Sequence, residues 1–82
     1  MTLHVLLNPR HLASLNQFMS DEDELILGGA AVKLEPEHFP GKRCYALATD
    51  CAYWQVEPPQ AELIDDAQWV RRVLQAERVI HW

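Results

Sequence analysis

Leu3-His4-Val5-Leu6-Leu7-Asn8-Pro9-Arg10 is the stretch that decides the fold of this chain. An apolar run stops at Asn8-Pro9, and a helix-patterned segment, Arg10 to Met19, follows at once. Asn8 offers a side-chain oxygen to cap a helix, and Pro9 suits the first helical position, where its missing N–H costs nothing. The segment therefore predicts a strand over 2–7, buried on both faces, then a tight turn and a helix over 9–19. In that helix Leu12, Leu15, Phe18 and Met19 share one stripe and are expected to face the core, while Ser14, Asn16 and Gln17 point away. A strand that feeds a helix directly is the entry to a parallel α/β sheet.

The same alternation continues outward from this opening. Glu24-Leu25-Ile26-Leu27 reads as a second strand, after the polar connector Ser20-Asp21-Glu22-Asp23 and before Gly28-Gly29. The glycine pair marks a tight strand exit. Ala30 to Leu34 fits a short helix or a brief strand. Glu35-Pro36-Glu37-His38-Phe39-Pro40-Gly41 reads as a loop, the segment expected to move most. Arg43 to Ala48 is the third strand, with Thr49-Asp50 as a turn and helix cap and Cys51 to Val56 as a short helix. Glu57-Pro58-Pro59-Gln60 breaks that helix, and Ala61 to Ile64 is the fourth strand. Asp65 or Asp66 caps the last helix, with Gln68 placed to close a capping box and Trp69, Val70, Val73 and Leu74 as its buried stripe. Val79 to Trp82 ends the chain as a short edge strand. The expected architecture is α/β: a small single domain over 1–82, with a mainly parallel sheet of four to five strands flanked by helices.

Composition narrows the function. Hydrophobic residues make up 49% of the 82 positions, at the upper end of the soluble range of about 45–50%. So short a chain buries only roughly 60–65% of its unfolded surface, so apolar groups are expected to stay uncovered unless other subunits cover them. The net charge of −5, from 12 acidic and 7 basic residues, argues against direct nucleic-acid binding, which needs a basic face. Arg71, Arg72 and Arg78 form a local basic cluster that reads as a charged helix face. No apolar stretch approaches the about 20 residues of a membrane span. The N-terminal segment lacks the basic region and cleavage site of a signal peptide, so a cytoplasmic location is expected. In that compartment two cysteines are thiols by default.

Several residue types in the chain can carry chemistry, and each also has a plainer structural role. Ligands of open α/β sheets gather at the carboxyl ends of the strands, here Asn8, Gly28-Gly29 and Thr49-Asp50-Cys51. No phosphate-binding glycine motif follows the first strand. Cys51 is the candidate nucleophile, since a helix N-terminus favours the thiolate. Asp50 opposes this with its charge, and a free cysteine is more often a small packed residue. Cys44, within a strand, reads as packed. His4, His11, His38 and His81 show no ligand spacing, so no metal is expected. His4 reads as a satisfied core histidine. No organic cofactor is indicated either. Of the three tryptophans, Trp69 reads as core. Trp54 and Trp82 fit an interface or a core equally well, because aromatic residues are enriched at interface centres.

Taken together, Leu3 to Pro9, Asp23-Glu24-Leu25-Ile26-Leu27, Cys44-Tyr45-Ala46-Leu47 with Asp50 three residues on, Glu62-Leu63-Ile64-Asp65 and the terminal Trp82 resemble the TusB/DsrH family of sulfur-relay subunits, in the DsrE/DsrF/DsrH superfamily. The resemblance spans nearly the whole chain in order. It implies a heterohexamer with TusC/DsrF-like and TusD/DsrE-like subunits, in which persulfide sulfur passes toward 2-thiolation of the tRNA wobble uridine. In DsrH proteins it passes instead into sulfur oxidation. The resemblance also implies an accessory subunit, because the TusD-like partner carries the essential cysteine and Leu47 stands at the corresponding position here. The alternatives are a sulfur carrier that uses Cys51, and an interaction domain unrelated to sulfur.

Overall fold

The computed structural model describes residues 1–34, 43–57 and 61–82. The loop expected at 35–41, and 58–60 of the helix-breaking Glu57–Gln60 segment, lie outside the described residues. The strands are β1 (Thr2–Leu6), β2 (Glu24–Leu27), β3 (Arg43–Leu47), β4 (Glu62–Ile64) and β5 (Arg78–His81). The helices are α1 (Leu12–Phe18), α2 (Ala48–Trp54) and α3 (Asp66–Gln75), with 3-10 segments at Pro9–His11 and Gly29–Lys33. All five strands form one sheet in the order β4-β3-β2-β1-β5. Every pairing is parallel, so the expected α/β architecture is the observed one.

Connection handedness explains where the helices lie. Successive steps from β1 to β4 move one way across the sheet, and right-handed crossovers must then run over a single face. Leu15 and Met19 of the α1 region, Ala31 and Val32 of the 3-10 segment and Cys51 of α2 accordingly pack with Leu6, Leu25, Leu27 and Ala46. The return from β4 to β5 runs the opposite way, so α3 must cross the other face. There Trp69, Val73 and Ala76 pack on Leu3, Ile26, Leu47 and Ile64. Strand alternation sorts these residues between the two faces, and β1 and β2 are central enough that neighbours on both sides are buried.

Several local expectations are met. Asn8 caps the first turn by accepting a hydrogen bond from the Arg10 N–H at 3.1 Å. Asp65 accepts from the Gln68 N–H at 2.7 Å while Gln68 Oε1 accepts from the Asp65 N–H at 2.9 Å, the expected capping box. The segment after Gly28 resolves as a 3-10 helix. Three expectations are corrected. Helix α2 begins at Ala48, directly after β3, so Thr49 and Asp50 lie inside it and do not form a preceding turn. Phe18 lies on the exposed side of α1, and Val70 and Leu74 are exposed on α3. One ten-residue helix resting on a sheet can turn only a narrow stripe inward, and Trp69, Val73 and Ala76 occupy it.

Candidate functional site

At the carboxyl edge of the sheet the strand exits fill one another. The Gly28 N–H donates to the Leu6 carbonyl at 2.9 Å, and a Cβ on Gly28 would meet Leu7 Cδ2 at 2.8 Å and Leu47 Cδ1 at 3.1 Å. Gly29 adopts φ +53°, with the position of a Cβ only 3.0 Å from the Leu7 carbonyl oxygen. Asp50 Oδ2 accepts a 2.8 Å hydrogen bond from the Gly29 N–H. The carboxylate nearest the candidate cysteine therefore ties α2 to the β2 exit. The glycine pair serves as the tight exit the sequence suggested.

Cys51 sits one turn into α2, packed with Leu27 and Ala46, and is only 3% exposed. Burial pushes its thiol pKa up, and the neighbouring Asp50 charge adds to the rise. A short helix that starts on Leu47 with no side-chain cap does not outweigh these effects. Cys51 also contributes to the wall of a shallow groove of about 640 Å³ between α2 and β4, with Gln55, Val56 and Leu63. Cys44, half-buried on β3, has its pKa pushed up to about 12 by burial alone. Both cysteines are free thiols. Since the thiolate is the nucleophile, neither is prepared for attack at neutral pH.

Trp54 and Trp82 occupy different environments. Trp54, on the last turn of α2, stands edge-on to the exposed Tyr53 at 5.1 Å, and Lys33 Nζ lies 4.2 Å from its ring centre. Trp82 folds back over β1. Its indole N–H donates to His4 Nδ1 at 3.0 Å, and Phe18 leans against it at 5.7 Å. An indole nitrogen can only donate, so His4 Nδ1 must be the bare nitrogen and Nε2 must carry the proton. That Nε2–H points at Asp23 Oδ2, 3.0 Å away. Asp23 also accepts from the backbone N–H groups of Thr2 and Ser20. Burial alone would raise the Asp23 pKa, but the hydrogen bonds from His4, Ser20 and Thr2 together outweigh it and hold the pKa at about 2. The trio resembles a relay in composition, yet His4 is 1% exposed and both ring nitrogens are occupied. It is a buried polar brace, and His4 is the satisfied core histidine the sequence suggested.

A second polar group has no signature in the local sequence. Tyr45 Oη donates to Glu24 Oε2 at 3.2 Å, and the Arg72 guanidinium lies 3.7 Å from the Tyr45 ring centre and within 3.7 Å of Glu24 Oε1. Burial and the Glu24 charge push the Tyr45 pKa up, partly offset by Arg72. Arg72 is thus drawn inward to serve a buried carboxylate, which the alternation of β2 and β3 could have suggested only once the register was known. Among the described residues, no three His, Cys, Asp or Glu side chains converge as metal ligands. No described helix is long and apolar enough to cross a membrane. The chain matches no known family model and shows no significant similarity to any curated protein.

Proposed function

We propose that this chain is a non-catalytic accessory subunit of a sulfur-relay complex that moves persulfide sulfur toward tRNA wobble-uridine 2-thiolation, in the cytoplasm, beside TusC/DsrF-like and TusD/DsrE-like subunits. One observation carries the accessory role. Burial raises the pKa of both thiols, Cys51 in the core and Cys44 half-buried against it, while large apolar side chains stand in solvent. Tyr53 and Trp54 on α2, and Leu63 on β4 beside the α2 groove, are exposed apolar groups suited to such partners. The sulfur assignment is supported by the ordered resemblance along the chain and by Leu47 at the position of the partner subunit's cysteine.

The test is genetic and chemical together. Deleting the chain is expected to deplete 2-thiouridine in tRNA, measured by nucleoside mass spectrometry. The Cys44→Ser/Cys51→Ser double variant is expected to restore it, and the chain to co-purify with the two partner subunits. Restoration by Cys44→Ser but not by Cys51→Ser would transfer the role to a carrier thiol. Unchanged thiolation on deletion, with no partner subunits recovered, would remove the sulfur reading.

A further inference from the structure

His4 sits where a single proton decides the position of a neighbouring ring. It is 1% exposed in the middle of β1, and both ring nitrogens are engaged. Nε2 donates to Asp23 Oδ2 at 3.0 Å, and Nδ1 accepts from the Trp82 indole N–H at 3.0 Å. Nε2 already carries its proton, so a second proton can enter the ring only at Nδ1. An imidazolium donates from both nitrogens and accepts at neither. Protonated His4 and the indole then present two N–H groups to each other, and the bond between them is lost. The Asp23 carboxylate stabilises the cation from the other side, so the imidazole can take up charge without leaving the core.

Trp82 is the group that can yield. Its backbone is pinned to β1: its N–H donates to the Val5 carbonyl at 2.8 Å, and its carbonyl accepts from the Leu7 N–H at 3.3 Å. Its side chain is half-buried at the rim of the core around Leu6 and Leu15, against the exposed Phe18. The ring can therefore turn out about its own side-chain bonds while the strand ladder stays intact and water takes its place at Nδ1.

The surroundings leave the response to His4. Histidine ordinarily changes charge between about pH 5 and 8, and Asp23, its pKa held at about 2, stays ionised across that range. Helix α1 carries no titratable residue, and Arg10 and His11 before it are exposed. In the connector before β2, Asp21 and Glu22 are exposed. Glu24 turns to the opposite face, toward Tyr45 and Arg72. On β5, Arg78 pairs with Thr2 and shares the face of His4, but is exposed. His81 pairs with Val5 and turns to the other face, where it lines a groove with Trp69. The Met1 ammonium faces Glu77.

We propose that Trp82 is a proton-operated latch: uptake of a proton at His4 Nδ1 expels the indole from its seat on β1 and turns it into solvent. Acidification thereby places a second aromatic ring beside the exposed Phe18, on the α1 side, without unfolding the sheet. The inference does not depend on the sulfur-relay reading.

Proton–nitrogen correlation spectra of the full chain test this. The Trp82 indole resonance, assigned by its absence in Trp82→Phe, is expected to move reversibly toward the free-indole position between about pH 8 and about pH 5, while the amides of β1 and β5 stay dispersed. His4→Asn, whose Oδ1 stands in for Nδ1 and accepts at every pH, is expected to hold the resonance in place. His81→Gln is expected to behave as the wild type does. Should His4→Asn fail to fold, urea unfolding decides. The gap in midpoint between wild type and Trp82→Phe is expected to narrow over the same range, because the bond that phenylalanine cannot make exists only with neutral His4. A Trp82 resonance that stays put in the wild type overturns the proposal, as does a gap that is constant or widens. Movement that persists in His4→Asn, or disappears in His81→Gln, overturns the role of His4. Loss of amide dispersion along with the indole shift makes the event unfolding and overturns the latch.

Discussion

His4, Asp23 and Trp82 come from the two ends of the chain and the start of β2, and they make one buried hydrogen-bonded line. Their effect on stability has a definite sign. The folded pKa of Asp23, about 2, lies below the ordinary 3.8. The carboxylate therefore contributes stability that is present above about pH 4 and is lost as the pH falls through about 2. The contribution is about 2 kcal/mol. Urea unfolding of the wild type should lose roughly that amount between pH 5 and pH 2 relative to Asp23→Asn, whose amide cannot titrate. Parallel pH profiles for the two proteins would contradict this account. None of the trio was legible as a group in the sequence. His4 reads as a core residue because it lies in an apolar strand, but its partners depend on the register of β1 on β2 and on the path of β5, which no spacing encodes.

Elements were legible where local chemistry and tertiary need coincide. Asn8-Pro9 and the Asp65–Gln68 box both start helices as their residue types require, because the side chains cap what lies directly after them. Asp50 shows the opposite case. Its composition suggested a local cap, but its carboxylate reaches 21 residues back to the Gly29 N–H, and α2 begins with no side-chain cap. The buried stripes of α1 and α3 are narrower than their periodicity predicts, with Phe18, Val70 and Leu74 exposed. Periodicity locates an apolar face, but the contact with the sheet covers only the stripe directly beneath it, Trp69 and Val73 on α3, and leaves Val70 and Leu74 exposed. The β2 exit gives a sharp test at this scale. Gly29 combines φ +53° with a backbone oxygen 3.0 Å from where a Cβ would sit. Gly29→Ala should therefore cost about 1–2 kcal/mol in chemical unfolding. A neutral substitution would mean that the β2 exit relaxes freely.

At the scale of the whole molecule, the parallel sheet follows from alternating strands and helices, whereas the strand order is not encoded in that alternation; given the order, handedness places α3 on the face opposite α1 and α2. The return crossover carries the chain from one edge strand, β4, to the other, β5, so the last residues close the sheet beside β1. They do so with more than the ladder. The Trp82 N–H donates to the Val5 carbonyl at 2.8 Å, and the Leu7 N–H donates to the Trp82 carbonyl at 3.3 Å. The Trp82 indole also satisfies His4. Removing 78–82 would turn β1, whose residues Leu3 to Leu6 are buried, into a bare hydrophobic edge, leave His4 Nδ1 without a donor and release Phe18 from its neighbour. A chain of this size holds only about 4–12 kcal/mol of total stability. Each unsatisfied buried polar group costs about 1–3 kcal/mol. Lost burial of Val79, Ile80 and Trp82 adds a comparable or larger amount. The sum reaches the whole reserve, so a chain ending at Glu77 is expected to lose cooperative unfolding and dispersed amide resonances, while Leu74→Glu, which changes only an exposed side chain, keeps both. A truncated chain that still unfolds cooperatively would show that β5 is an ornament on a four-stranded core and not the strand that closes it.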